Sequence, residues 1–346
     1  MSHIGKKAIY QAVSGISGSR LFFCHCPEGL KQCTFPTEIS YYNSAGAMRF
    51  PPIGGNAMTD HDIVFMGGDM RMVYAAERMS ERCGCTLAGF DSLGARQRRN
   101  IPEAGTAARY DAAVLPVLTD GVDAIRCPYS GRTYDINVLS VLLARGAAVF
   151  AGRATQGLIR LCAENGYTLY DYLVREEFAV NNAVLTAEGA VGIAVFETGG
   201  SIFGSSVTVL GFGRIGKLCA RYFSALGADV STVARKRDAL AWIGAYGYRA
   251  VDLSDERAFC DTLGKADIII NTIPAPVLAG TRAEAVRQDA VLIELASVPC
   301  TDEAARFRII PAGGLPGKTA PEAAGRIIAD TVGNILEERS RRNGGA

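Results

Sequence analysis

Three glycines, Gly211, Gly213 and Gly216, stand in the spacing GxGxxG within VTVLGFGRIGKLCARYFSALGADVSTVAR, residues 207–235. An apolar run precedes them and a helical pattern follows. In that setting the first glycine permits a tight turn, the second lets backbone approach a pyrophosphate, and the third lets helix and strand lie close together. The phosphates would rest on the helix N-terminus, against Gly213, Arg214 and Ile215. Ala220, Phe223, Gly227 and Val230 supply the small or apolar residues that the rest of a βαβ unit needs. The plainer alternative is a structural glycine turn without a ligand. The same register locates the ribose. An acid that holds a 2′-hydroxyl belongs at the end of the second strand. Ala234 stands there, eighteen residues after Gly216, followed by Arg235, Lys236 and Arg237. With no competing carboxylate, guanidinium groups suit a 2′-phosphate, so the expected cofactor is NADP rather than NAD. Otherwise the three charges form only a solvated loop.

Three later segments are expected to complete the cofactor surface: NTIP, with Thr272, Ile273 and Pro274; ELAS, with Ala296 and Ser297; and GGLPGKTAP, with Gly314 and Lys318. The last reads equally well as a rigid turn. Other chemistry is narrowed by what the chain lacks. Histidines stand only at His3, His25 and His61, so the histidine acid/base of a 2-hydroxyacid dehydrogenase has no counterpart in the nucleotide lobe. No lysine occurs between Lys31 and Lys217, which excludes a Schiff base from the first lobe and leaves anion binding there to arginine or backbone. Asp69 and Arg71, in GGDMR, follow the first apolar strand. Arg175, Asn182, Thr186 and Glu188 are expected to face a cleft between lobes, Glu188 serving either that cleft or only its own helix as a first-turn acid. A zinc reading of Cys24, His25, Cys26 and Cys33 lacks a paired CxxC knuckle, and no metal is expected.

These residues need a frame, which the hydrophobic pattern supplies. From Met58 onward apolar runs alternate with helical periodicity, the signature of an α/β fold with parallel sheets. DIVFMGG, CTLAGFD, DAAVLPV, AAVFAG and TLYDYL read as strands of a flavodoxin- or Rossmann-like first lobe, residues 58–185, with MRMVYAAERMSER and DINVLSVLLARG as helices. Thr186 is expected to cap a helix, TAEGAVGIAVFE, that leads into a Rossmann lobe, residues 186–310, with strands in SSVTVLGFGRIG, ADVSTVAR, ADIIINTI, AVLIELAS and FRIIPAG. Residues 311–346 form a closing loop and an amphipathic helix. The fold class is thus two Rossmann-like αβα lobes joined by long helices around an interlobe cleft. The 346 residues carry 36 basic and 35 acidic side chains and are 49% hydrophobic, which excludes a disordered polyelectrolyte and argues against a nucleic-acid binder. Ten cysteines, mostly single and within apolar runs, suit a reducing cytoplasm better than a disulfide scaffold. No uncharged apolar run reaches about 18 residues, so no membrane span is expected. Residues 1–57 are aperiodic and are expected to be disordered or to precede the true start at Met58.

GGDMR (67–71), GFD (89–91), AVLPV (113–117), REEFAVNNAVLTAEGA (175–190), VTVLGFGRIG (207–216), INTIP (270–274) and GGLPGKTAPEAAGRIIA (313–329) spread over both lobes. Through them the chain from Met58 resembles the A subunits of dipicolinate synthase. Two departures stand out: the leader before Met58, and LASVPCT (295–301) where the family has LASRPGG, with an arginine and two glycines replaced. The resemblance implies NADP-linked oxidation of dihydrodipicolinate, or its hydrated precursor, to dipicolinate, with a small flavoprotein-like partner, the dipicolinate synthase B subunit. It implies a substrate with two carboxylates, for which Arg71 and Arg175 are the first anchors and Lys318 the third, beside Asp69, Asn182 and Thr186, with Glu188 as proton acceptor. A noncatalytic protein that binds NADP and positions a flavin-bearing partner is the alternative. A homo-oligomer is compatible with both.

Overall fold

The computed structural model describes residues 61–105, 109–118, 123–301 and 305–344, together with residues 23–24 and 31–32. The chain divides into two units, Met1–Pro52 and Ile53–Ala346. In the first, β1 (Phe23–Cys24) and β2 (Lys31–Gln32) form an antiparallel ladder that pairs Phe23 with Gln32. The other expectations for residues 1–57, including the side chains of Cys24, His25, Cys26 and Cys33, lie outside the described residues.

The second unit opens with β3 (Asp62–Met66), α1 (Met70–Ser80), β4 (Gly84–Ala88) and β5 (Tyr110–Val117). A hairpin of β6 (Ala124–Cys127) and β7 (Arg132–Asp135) precedes α2 (Val138–Leu142), β8 (Leu143–Gly152), α3 (Gln156–Asn165) and β9 (Thr168–Asp171). The sheet order β4-β3-β5-β8-β9, parallel throughout, is the flavodoxin-like order with its switch point between β3 and β5. Ile63, Val64, Phe65 and Met66 are buried on both faces, as a central parallel strand requires. Two features differ from expectation. The helix read in DINVLSVLLARG stops after five residues, because β8 begins at Leu143 and the Arg109 guanidinium takes the Ser140 and Leu143 carbonyls at 3.1 and 3.3 Å. The β6–β7 hairpin lay hidden because only Ile125 and Cys127 are buried along it.

A 3-10 turn (Tyr172–Val174) leads into α4 (Glu176–Glu197). The helix starts ten residues earlier than expected, so Thr186 is no cap. It lies mid-helix and donates its hydroxyl to the Asn182 carbonyl at 3.0 Å, a bond within the helix that uses an already formed turn. The expected lobe boundary at 185/186 consequently falls inside one continuous helix. α4 is long and apolar enough to cross a membrane by length and composition, and half of its most apolar window is buried within the protein.

The nucleotide lobe follows with β10 (Ser206–Leu210), α5 (Arg214–Ala225), β11 (Asp229–Ala234), α6 (Arg237–Ala245), β12 (Arg249–Asp252) and α7 (Glu256–Leu263). Next come β13 (Ile268–Asn271), α8 (Thr281–Ala285), β14 (Val291–Glu294), β15 (Arg308–Pro311), α9 (Leu315–Thr319) and α10 (Pro321–Gly344). Its parallel order, β12-β11-β10-β13-β14-β15, is that of a dinucleotide-binding sheet. Ala187, Ala190 and Ala194 of α4 lie in one core with Cys219 and Phe223 of α5, Val209 of β10, Ile293 of β14 and Leu315 of α9. Burial of a side chain such as Phe223 contributes about 1.5–3 kcal/mol. α10 returns to the first lobe and lies along α1, where Arg82 Nη2 meets Glu337 Oε1 at 2.9 Å.

Candidate functional site

β10 ends at Leu210 and the chain turns through Gly211, whose φ of +97° suits glycine. A Cβ on Gly216 would lie 2.1 Å from the Gly211 carbonyl oxygen, so α5 can approach the turn only with glycine there. Gly213 has open space around its Cα and precedes the first turn of α5, which carries no side-chain cap. The amide groups of Arg214, Ile215 and Gly216 therefore start a helix without an internal acceptor, the arrangement a pyrophosphate requires. Thr272 braces the turn from β13, its hydroxyl and its amide both donating to the Leu210 carbonyl at 2.8 and 2.9 Å. At the end of β11, Ala234 is buried, while Arg235 and Lys236 are exposed, with neither side chain in a hydrogen bond or ion pair to another described residue. Asp252, beside Ala234 in register, is turned to Ser254, whose hydroxyl and amide hold its carboxyl below the usual range. The residues present thus fit a dinucleotide, and the ribose end offers cations.

The strands that follow end in polar residues placed side by side. Asn271 of β13 pairs in register with Glu294 of β14, and Asn271 Nδ2 donates to Glu294 Oε1 at 2.7 Å. The Glu294 carboxyl also accepts from the amides of Ala296 and Cys300 at 3.0 and 2.9 Å, which shapes the loop that carries Ala296 and Ser297. The sequence places Glu294 at the start of the ELAS turn of the cofactor surface but gives its side chain no separate role. The available signal was a polar residue closing each of two otherwise apolar strands, IIIN and VLIE.

On the first lobe, Asp69 caps α1 by accepting from the Arg71 amide at 3.0 Å, and its carboxylate also grips the Arg71 guanidinium. α9 crosses this pair: a Cβ on Gly317 would sit 3.0 Å from Arg71 Nε. The structure therefore brings Asp69 and Arg71 next to the GGLPGK segment, with Gly314 at φ +69° and Lys318 exposed beside Gly317.

Other expected residues lie elsewhere. Arg175 precedes α4, with Nε 2.7 Å from Glu177 Oε1 and Nη2 2.6 Å from Glu338 Oε1 on α10. Glu338, then Glu177, raise its pKa. It is a clasp between two helices rather than an open carboxylate anchor. Arg214 is likewise engaged, forked onto Glu176 at 2.5 to 3.0 Å. Thr186 is buried and Asn182 half-buried. Glu188 is exposed on another side of α4, near Tyr222 of α5, whose phenol is pushed up by burial first and then by Glu188. Two residues of separation turn a helix by about 200°, so Thr186 and Glu188 cannot share a face. No cluster able to hold a metal occurs among the described residues. A cavity of about 510 Å³ opens at the amino edge of the nucleotide sheet, away from the glycine turn, where Arg287 is shared between Asp267 and Asp289.

Comparison with known proteins gives two family matches. Residues 62–173 match the N-terminal domain of the dipicolinate synthase A subunit. Residues 181–317 match the NAD binding domain of D-isomer specific 2-hydroxyacid dehydrogenases. The chain is similar to the dipicolinate synthase A subunit of Bacillus subtilis, at 31% identity over 83% of this chain and 99% of the relative. Among solved structures it is similar to the dipicolinate synthase A subunit from Bacillus halodurans (29% identity, TM-score 0.71, 81% of this chain and 99% of the other). The solved Bacillus subtilis protein is comparable (28% identity, TM-score 0.72, 83% and 99%).

Proposed function

Because the chain belongs to the family of dipicolinate synthase A subunits, we propose that it oxidises dihydrodipicolinate, or its hydrated precursor, to dipicolinate with NADP, acting with a flavoprotein-like B subunit. The observation that carries the reading is the uncapped start of α5 under Gly213, served by Arg235 and Lys236 at the next strand end. NADP, when bound, supplies the hydride acceptor.

The residues of this chain then have distinct tasks. Gly213, Arg214, Ile215 and Gly216 hold the diphosphate; Arg235 and Lys236 hold the 2′-phosphate; Thr272, Ile273, Pro274, Ala296, Ser297 and Gly314 bound the rest of the dinucleotide. Arg71, oriented by Asp69, and Lys318, on the neighbouring α9, anchor the two substrate carboxylates. Loss of one hydride and one proton converts the dihydropyridine into an aromatic ring. Aromatisation supplies driving force, so a strong protein base is unnecessary, and water takes the proton. The work is mainly positioning. A reducing cytoplasm suits the buried free thiols of Cys83, Cys85, Cys127, Cys162, Cys219 and Cys300.

The position of Glu188 away from Thr186 favours one second reading, a noncatalytic NADP-binding scaffold. Incubating the purified chain with dihydrodipicolinate and NADP, with and without the B subunit, separates the two. NADPH formed by this chain alone supports the oxidoreductase; redox turnover only when a flavin-bearing partner is added supports the scaffold.

A further inference from the structure

The Asn271–Glu294 pair is buried at the nicotinamide half of the sheet, and nothing in the reaction outlined above uses it. Asn271 is fully buried and Glu294 only 7% exposed. Asn271 Oδ1 accepts from the Ile273 amide at 3.0 Å, which fixes the side-chain amide with Nδ2 toward Glu294. Both carboxyl oxygens of Glu294 then face donors: Asn271 Nδ2 and the Ala296 amide on Oε1, the Cys300 amide on Oε2. The Cys300 thiol is a fourth donor, and its own pKa rises through burial first and then through this carboxylate. Donors therefore converge on both oxygens, the arrangement that a carboxylate, an acceptor at every lone pair, satisfies. No ion pair joins it to a lysine or arginine among the described residues. The nearby loop position, Val298, is uncharged and 45% exposed.

We propose that Glu294 is an electrostatic positioning residue that makes this site prefer the oxidised nicotinamide over the reduced one. The proposal rests on the dinucleotide reading above. In a sheet of this order the nicotinamide half lies over the strands beyond the switch point, here β13 and β14. Ala296, a residue expected to bound that half, stands two residues from Glu294, at most about 7 Å of chain. An oxidised nicotinamide ring carries a positive charge and a reduced ring carries none. A buried, unpaired carboxylate therefore stabilises one redox form selectively, whereas contacts to phosphate or ribose stabilise both alike. The cost falls on the hydride-transfer equilibrium, which is made less favourable by the same factor. The aromatising substrate offsets it, and the benefit is that NADPH, once formed, leaves readily and competes poorly.

The test measures Kd for NADP⁺ and for NADPH on the full chain by calorimetry. Wild-type chain is expected to bind NADP⁺ more tightly. Glu294→Gln should shift the ratio of the two constants toward NADPH by about tenfold. Because this variant places an N–H against existing donors and can lose the loop, the wild-type ratio is read as a second arm, and Val298→Arg tests separately that this loop faces the ring. It puts a cation on an exposed position of the same loop and should shift the ratio in the same direction. A purely structural role for Glu294 would weaken both forms equally in Glu294→Gln; an unchanged ratio in that folded variant, or a wild-type chain that binds NADPH as tightly as NADP⁺, overturns the proposal. If wild-type chain binds neither form, the dinucleotide reading itself falls, and this proposal with it.

Discussion

Asp69 holds Arg71 at two points, Oδ1 to Nε at 2.8 Å and Oδ2 to Nη2 at 2.9 Å, while the same Oδ1 accepts from the Arg71 backbone amide at 3.0 Å. One carboxylate thus starts α1 and aims the guanidinium. The planar fork of arginine suits this grip, and the side chain retains 30% exposure beside α9.

Arg71→Gln removes the charge at this point. KM for dihydrodipicolinate should rise about 10- to 100-fold, the loss of a charge-assisted hydrogen bond to carboxylate, with the Kd for NADP unchanged. Steady-state kinetics and calorimetry on the same preparation check both halves. An unaltered KM would remove Arg71 as an anchor.

The two tasks of Asp69 separate by substitution. Asparagine is as good an N-cap as aspartate, so Asp69→Asn should leave stability nearly intact while it frees Arg71 and raises KM. Asp69→Ala should in addition lower stability by about 1 kcal/mol. Urea unfolding of both variants distinguishes the cap from the aim; equal stabilities would show that the cap contributes nothing.

Arg235→Asp places a carboxylate one residue beyond Ala234, the position where the register expects the acid of an NAD enzyme. Affinity for NADPH should fall at least about tenfold more than affinity for NADH, a difference of about 1.4 kcal/mol. Parallel fluorescence titrations read the ratio. Equal losses would mean that Arg235 belongs to a solvated loop and that the preference for NADP lies elsewhere.

Arg175 provides a contrast with Arg71. Its partners Glu177 and Glu338 are each more than a third exposed. The clasp between α4 and α10 is therefore screened and worth at most about 1 kcal/mol. Glu338→Gln should lower the unfolding midpoint slightly, less so at high salt, and leave KM unchanged. A large rise in KM would restore Arg175 to the substrate.

The buried strands were legible in the sequence because parallel strands covered on both faces become unbroken apolar runs, IIIN and VLIE being examples, whereas the largely uncovered β6, β7 and β12 were not. The glycine turn was legible because its backbone geometry excludes other residues. α4 was read too short because Thr186 followed by Ala187 and Glu188 imitates a capped helix start, whereas the acids of its first turn are Glu176 and Glu177. Arg175 and Glu188 were misplaced for a related reason. Their surroundings depend on α10 and α5, which lie far along the chain, and local spacing carries no trace of such contacts. Glu294 was legible as the start of the ELAS turn, but its pairing with Asn271 arises only when β13 and β14 lie in register.

The most direct test of NADP-linked oxidation by this chain quantifies NADPH and dipicolinate together, in a reaction containing only the chain, dihydrodipicolinate and NADP. Both products should appear at the same rate, one NADPH for each dipicolinate, and Arg235→Asp and Arg71→Gln should slow them together. Dipicolinate formed without NADPH, or no product from a chain that demonstrably binds NADP, would contradict that mechanism.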